Sequence, residues 1–335
     1  MIRSILALGI AGTIAAFSAN AFAGPTIKLG HVDPAEWQTS KKGAAGIIFK
    51  NIVEGETDIS VELFPAKSLG NEGDLVQQVQ EGTTHMAIVS GAMAKICKPV
   101  DVLNIPYTFS SPTIAWDVLD GPFGKELGAF CLEKTGLRTL AYGETGFRNF
   151  TNNVREIKSP KDMKGLKFRV QPIPLYVEMV KGLGGEPTPI AWSELPNALS
   201  TGVVDGQENP VGVIYNNNLH KLQKYLVLDG HVYAADFIVI NDEFFQSLPD
   251  SDKAIINKAA RIAGTMGRAI QQYNTAEGVT KVAADGMAVH SPTAAEMAEF
   301  KKLAQPAVKK WLAEELGDDA SWITKLDAAV AEASK

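Results

Sequence analysis

From Thr26 to Ile240 the chain alternates short apolar strand-like runs with helix-length amphipathic segments, and no low-complexity or flexible linker interrupts the series. That rhythm predicts mainly parallel sheets covered by helices. Thr26–Val32 and Ile59–Phe64 alternate as half-buried strands do, and Met86–Val89 is a short buried run. Helices are predicted over Trp37–Val53 (Ala44, Ile47, Ile48 and Ile52 inward), Glu72–Glu81, Pro112–Leu119 and Gly124–Lys134, before a strand at Arg138–Tyr142. A second series starts near Phe147, with strands at Phe150–Asn152, Lys167–Val170, Tyr225–Leu228 and Asp236–Ile240 and helices at Leu175–Leu183 and within Ile190–Leu199. Beyond it the chain is helical: Asp250–Gly278, with Ala259, Ile262, Met266 and Ile270 on one face, then Pro292–Leu316 and Ala320–Ala333. Two α/β series with no linker imply a hinged pair of lobes between which the chain crosses more than once.

Residues 1–23 read as a secretory signal peptide. Met1-Ile2-Arg3 is a short basic start, Ile5 to Phe17 is apolar and uncharged, and Ala21-Phe22-Ala23 supplies an A-x-A cleavage site before Gly24. The apolar run falls short of the roughly 20 residues of a membrane span, so no stable membrane insertion is expected. No cysteine follows the cleavage site, which leaves a free exported protein in the periplasm. Roughly 310 residues remain, enough for two lobes with substantial cores. A hydrophobic share of 45% and a charged share of 21% are those of an ordinary globular protein. The net charge of −6 becomes −7 once Arg3 leaves. An acidic chain without a Lys/Arg cluster excludes nucleic acid as a partner. The two cysteines, Cys97 and Cys131, form either a structural disulfide, suited to an oxidising compartment, or a pair of buried thiols.

Common catalytic and metal signatures are missing. The five histidines, at 31, 85, 220, 231 and 290, form no H-x-x-x-H pair, and the cysteines lack C-x-x-C spacing. There is no G-x-S-x-G, G-x-G-x-x-G or G-x-x-x-x-G-K-S/T. Neither a cofactor nor enzymatic turnover is expected. One residue does suggest chemistry. Arg169 sits inside the strand-like Lys167–Val170, and charge on a buried strand calls for a partner. A guanidinium held on a strand suits a carboxylate, because its planar fork makes two parallel charge-assisted hydrogen bonds. The alternative is an exposed arginine on an edge strand. About forty residues later comes Asp205-Gly206-Gln207-Glu208-Asn209-Pro210, read as a turn.

The ordered set of fragments is more specific than any one of them. It comprises Ser68-Leu69-Gly70, Ile105-Pro106-Tyr107, Gly146-Phe147-Arg148, Asp162-Met163-Lys164-Gly165-Leu166-Lys167, and Glu194 through Ala198-Leu199 and Gly202-Val203-Val204 to Pro210, followed by Lys224-Tyr225. Together they resemble the solute-binding proteins of TRAP transporters, the periplasmic carriers of organic acids. The resemblance implies an α/β two-lobe periplasmic-binding-protein fold with crossing strands, a ligand cleft between the lobes and a long connecting helix. Lobe I would comprise residues 24–146 and 235–274, and lobe II residues 147–234 and 275–335. The resemblance also implies a small organic acid as ligand and the subunits of a TRAP membrane permease as partners.

Carried over residue by residue, Arg169 is the position that grips the ligand carboxylate. Arg148 matches a second arginine near the hinge, with a structural ion pair as its alternative reading. Asn209 matches an asparagine that bonds the same ligand end. Glu72 falls where a lobe I helix reaches the pocket, or else is a solvated helix residue. Gln171 shares the facing of Arg169 by strand alternation and is expected to read a neighbouring hydroxyl or keto group. Trp37, Phe147, Trp192, Tyr215, Tyr233 and Phe237 lie near cleft segments, and two or three of them reaching the ligand would favour an acid with an apolar or ring portion. Two further readings stay open: a binding protein of an ABC-type importer, and a secreted hydrolase or lyase acting on an acid.

Overall fold

A computed structural model describes residues 24–335, so the signal-peptide reading lies outside the described residues. The first lobe begins with strand β1 (Thr26–His31), helix α1 (Lys41–Glu56), β2 (Ser60–Phe64), α2 (Glu72–Gln80) and β3 (Met86–Val89). Helices α3 (Pro112–Asp120) and α4 (Pro122–Thr135) then lead into β4 (Leu137–Asn152). The second lobe supplies β5 (Lys167–Val170), α5 (Pro174–Gly182), β6 (Glu186–Pro189), α6 (Leu195–Ser200), β7 (Gly206–Asn209), α7 (Val211–Asn216) and β8 (Tyr225–Val227). The chain returns through β9 (Val232–Asn241), α8 (Asp242–Ser247) and α9 (Asp250–Ala284). It ends with β10 (Ala288–His290), α10 (Ala294–Leu316) and α11 (Ser321–Ala333). No helix among the described residues is long and apolar enough to cross a membrane.

The strand order is β2-β1-β3-β9-β4-β7-β5-β6, with β8 also on β4 and β10 on β8. Within each lobe the pairs β1–β2, β1–β3, β5–β6 and β5–β7 are parallel, while the crossing strands β4 and β9 are antiparallel to each other. Their ladder runs from Leu137 opposite Asn241 to Arg148 opposite Val232. The register shifts between Glu144 and Gly146, and such a bulge bends a strand locally. Arg138–Tyr142 and Phe150–Asn152, expected as separate strands, are the two ends of this single crossing strand.

Three further expectations are corrected by packing. Helix α1 starts at Lys41 instead of Trp37, because the Ser40 hydroxyl caps it by accepting from the Gly43 amide at 2.8 Å. On α9 the buried face is not the Ile262 face. Ile262 is exposed, and Ala259, Ala260, Ala263, Gly264 and Gly267 are buried. The helix lies so close to β4 that a side chain at Gly264 would stand 2.6 Å from the Tyr142 carbonyl oxygen. Helix α11, assigned by sequence to lobe II, packs instead on lobe I, where Trp322 meets Phe123 and Phe130 edge-on.

Cys97 and Cys131 are joined in a disulfide that ties the loop after β3 to α4. Closing a loop between residues 34 apart in sequence stabilises the fold by about 3–4 kcal/mol in the chain-entropy account. Replacing both cysteines by serine is therefore expected to lower the urea midpoint while sparing ligand affinity, since neither lines the cavity. An unchanged midpoint would show that the bridge adds nothing.

Candidate functional site

A cavity of about 290 Å³ opens between the lobes. Lobe I lines it with Val32, Asp33, Lys41, Lys42, Glu72 and Ser90. Lobe II contributes Arg148, Arg169, Gln171, Trp192 and Asn209. Strand pairing brings the lobe II residues together: Arg169 on β5 stands opposite Gln207 on β7, and Asn209 on β7 opposite Asn149 on β4.

Arg169 is 1% exposed, and its Nε donates to the Ile190 carbonyl at 2.9 Å. Its guanidinium carbon lies 5.8 Å from the Trp192 ring centre. Among the described residues its terminal nitrogens have no hydrogen-bond acceptor and no carboxylate partner. Burial pulls its pKa down to about 10, with Glu208 opposing and the Arg148 charge adding to the fall, so it stays cationic at neutral pH. A desolvated cation with a free fork calls for an anion.

Arg148 is equally buried but already engaged, as the ion-pair reading had it. Its Nε and Nη2 grip the Glu208 carboxylate, Nη2 at 2.8 Å from Oε1, and Nη2 also donates to the Glu208 carbonyl at 2.6 Å. Burial alone would lift the Glu208 carboxyl, but the Arg148 guanidinium and His231 hold it down at about 2. Behind Glu208, His231 meets a carboxylate at each ring nitrogen: Glu208 at 3.2 Å and Asp229 at 2.9 Å. Burial lowers its pKa, yet the two carboxylates, Asp229 first, raise it overall and so favour the imidazolium. Arg148 thus lines the cavity with its charge balanced.

The Gln207–Asn209 run is a strand, not a turn. Polar residues are buried there because each is matched. Gln207 donates to the Thr151 hydroxyl at 2.9 Å, Asn209 donates to Gln207 at 2.6 Å, and Glu208 holds Arg148. A side chain at Gly206 would strike the Thr151 carbonyl oxygen at 2.0 Å, which restricts that strand's start to glycine.

Glu72, at the N-terminus of α2, faces the cavity and is no solvated helix residue. It pairs with Lys42 and accepts from the Ser90 amide at 2.9 Å and hydroxyl at 3.1 Å. Burial would raise its pKa, but Lys42 keeps it low. Gln171 lines the cavity on the Arg169 side of β5, as alternation requires. Trp37 and Phe147 do not line it. Trp37 is 50% exposed before α1. Phe147 neighbours Arg148 on β4, so its side chain takes the other face, where it packs on Tyr233. Of the aromatics considered, only Trp192 lines the cavity, which removes the basis for favouring a ring-bearing ligand. Sequence reasoning missed Asp33, Lys41 and Lys42. The available signal was a pair of lysines in the first turn of a helix, where the helix dipole disfavours cations.

The family described as bacterial extracellular solute-binding protein, family 7 (DctP), matches residues 30–315. A solute-binding protein of Verminephrobacter eiseniae is 37% identical over 255 residues, which is 75% of this chain and 76% of the relative. The 2,3-diketo-L-gulonate-binding periplasmic protein YiaO of Escherichia coli is 33% identical over 263 residues, 77% and 79% of the two chains. A TRAP periplasmic solute-binding protein from Polaromonas sp. JS666, solved bound to D-erythronate, aligns with a TM-score of 0.84 at 31% identity. The match covers 91% of this chain and 99% of that one.

Proposed function

This chain belongs to family 7 of the bacterial extracellular solute-binding proteins, the periplasmic receptors of TRAP transport, and on that premise we propose that it captures a small organic acid by clamping its carboxylate on Arg169. The family is one of binding proteins and not of enzymes, and membership displaces both the ABC-type and the secreted-enzyme readings. The observation that carries the proposal is the free fork of Arg169, a buried cation that faces a cavity and has no carboxylate partner among the described residues. Asn209 and Gln171 flank the clamp as amide donors and acceptors, Arg148 borders it with its charge balanced, and Glu72 closes the opposite wall. The acids named for the Escherichia coli and Polaromonas relatives support the same ligand class.

The chain would be exported by its signal peptide, cleaved after Ala23, and would pass its ligand to a TRAP membrane permease. Binding would be coupled to closure of the lobes. Asn216 of α7 donates to the Thr39 carbonyl across the cleft at 2.9 Å, a contact that an opened cleft would lose. Closure excludes water and so strengthens the arginine–carboxylate contact, which lets ligand and closed form stabilise each other.

A thermal-shift screen against organic acids tests this directly. Ligand at a hundred times its dissociation constant adds about 2.7 kcal/mol of stability. At least one carboxylic acid is expected to raise the melting temperature, while the corresponding neutral sugars and amides do not. A shift produced only by uncharged compounds would end the clamp reading.

A further inference from the structure

Among the described residues the buried charged groups around the clamp have opposite charges beside them, and Arg169 is the buried cation left without an ion pair. On the lobe II side, Arg148 and His231 stand against Glu208 and Asp229. On the lobe I side, Lys41 pairs with Asp33 at 2.7 Å, and Lys42 lies between Glu72 and Asp236, the latter at 3.4 Å. Two lysines therefore face three carboxylates. Burial raises the Asp236 pKa, but even with that carboxyl neutral the wall opposite Arg169 has no buried cation to spare among the described residues. Lys95 also borders the cavity without an ion pair among the described residues, but it is exposed, and a solvated ammonium contributes little.

The same wall is rich in unused hydrogen-bonding capacity. An ammonium carries three donors, and Lys42 directs its charge at only two carboxylates. Asp33 accepts from Lys41 through Oδ2, which leaves Oδ1 without a side-chain donor among the described residues. Donors and acceptors side by side match a hydroxyl, which is both. A carboxylate placed there would give up its hydration beside Glu72 and Asp33 with no free cation in return.

We propose that the site selects a monocarboxylate whose far end is neutral and hydroxylated, and that the matched Lys42–Glu72 and Lys41–Asp33 pairs exclude a second carboxylate. This selectivity rests on the Arg169 clamp and adds to it the chemistry of the opposite end. It makes Glu72 and Asp33 specificity-determining residues.

Matched acids isolate the claim. Gluconate and glucarate, and erythronate and meso-tartrate, differ within each pair only in whether the last carbon is a hydroxymethyl or a carboxylate. Titration calorimetry on the mature protein, with these pairs set in a wider panel of hydroxy acids and their diacids, is expected to show one or more monocarboxylates binding at least a hundredfold more tightly than the matched diacid. Glu72→Gln and Asp33→Asn should each narrow that ratio at least tenfold, by raising diacid affinity relative to monoacid. Either variant suffices if the other does not fold. A diacid that binds as tightly as its matched monoacid overturns this inference and leaves the clamp standing. So does an unchanged ratio in the folded variants. Failure of every acid in the panel, mono or di, overturns the clamp together with the selectivity built on it.

Discussion

Arg169→Ala is expected to weaken ligand binding by more than an order of magnitude and leave the unliganded protein at least as stable as wild type. Truncating one partner of a buried, hydrogen-bonded charge pair costs about 2–5 kcal/mol. At 1.4 kcal/mol per tenfold, that takes a micromolar ligand to between roughly 30 micromolar and a few millimolar. The stability half of the expectation is less usual and follows from the same geometry. Without ligand, Arg169 is a desolvated cation whose fork has no acceptor among the described residues, so its removal relieves a cost that outweighs the Ile190 hydrogen bond, the packing on Trp192 and the attraction of Glu208. Arg169→Lys should bind poorly, because an ammonium cannot reproduce two parallel hydrogen bonds. Calorimetry measures the affinity, and urea unfolding of the ligand-free variants measures the stability. Binding within twofold of wild type in both variants would take Arg169 out of the site. A large loss of stability in the alanine variant would mean that its charge is matched in the fold after all.

The placing of Arg169 and Gln171 on one side of a strand was legible in the sequence because strand alternation is a local rule. Lys167–Val170 reads as a strand from its residues alone, and period two then puts Gln171 on the same side as Arg169. The strand Gly206–Asn209 was not legible, because a run of Gly, Gln, Glu and Asn carries turn propensity. What overrides that propensity is a set of partners, Thr151, Arg148 and His231, that are remote in sequence. Arg148 illustrates the limit, since alone it reads as a binding residue or as half of an ion pair, and only its contact with Glu208 decides between them. The α9 face failed for a different reason. Periodicity selects large apolar residues such as Ile262, whereas close approach to β4 selects Gly264 and Ala263, whose small size carries little signal in a hydrophobic pattern. Lys41 and Lys42 look like solvated lysines until Asp33 and Glu72, on other elements, are brought beside them.

Glu208→Gln is expected to be the most destabilising single change near the cavity, and its signature should be in the pH profile. The substitution leaves Arg148 buried without a counter-charge and takes one of two carboxylates from His231. Breaking a buried pair by removing one partner costs about 3–5 kcal/mol, more than most point changes. The Glu208 pKa falls from 4.5 unfolded to about 2 folded, because Arg148 and His231 outweigh burial. Its contribution is therefore fully present above pH 4.5 and is lost as pH falls through about 2. His231 has the opposite sign. Its folded pKa is raised above 6.5, so its contribution is complete below pH 6.5 and is lost as pH rises through the folded value. The wild-type network should accordingly contribute most between about pH 4.5 and 6.5, with losses on both sides. In Glu208→Gln the acid limb should become shallower by the Glu208 contribution, and the alkaline limb should weaken because His231 keeps only Asp229. Urea midpoints of both proteins from pH 3 to 9 would measure this. A loss under 1 kcal/mol at pH 6, or two parallel profiles, would show that the Arg148–Glu208–His231 chain is not the electrostatic unit described here.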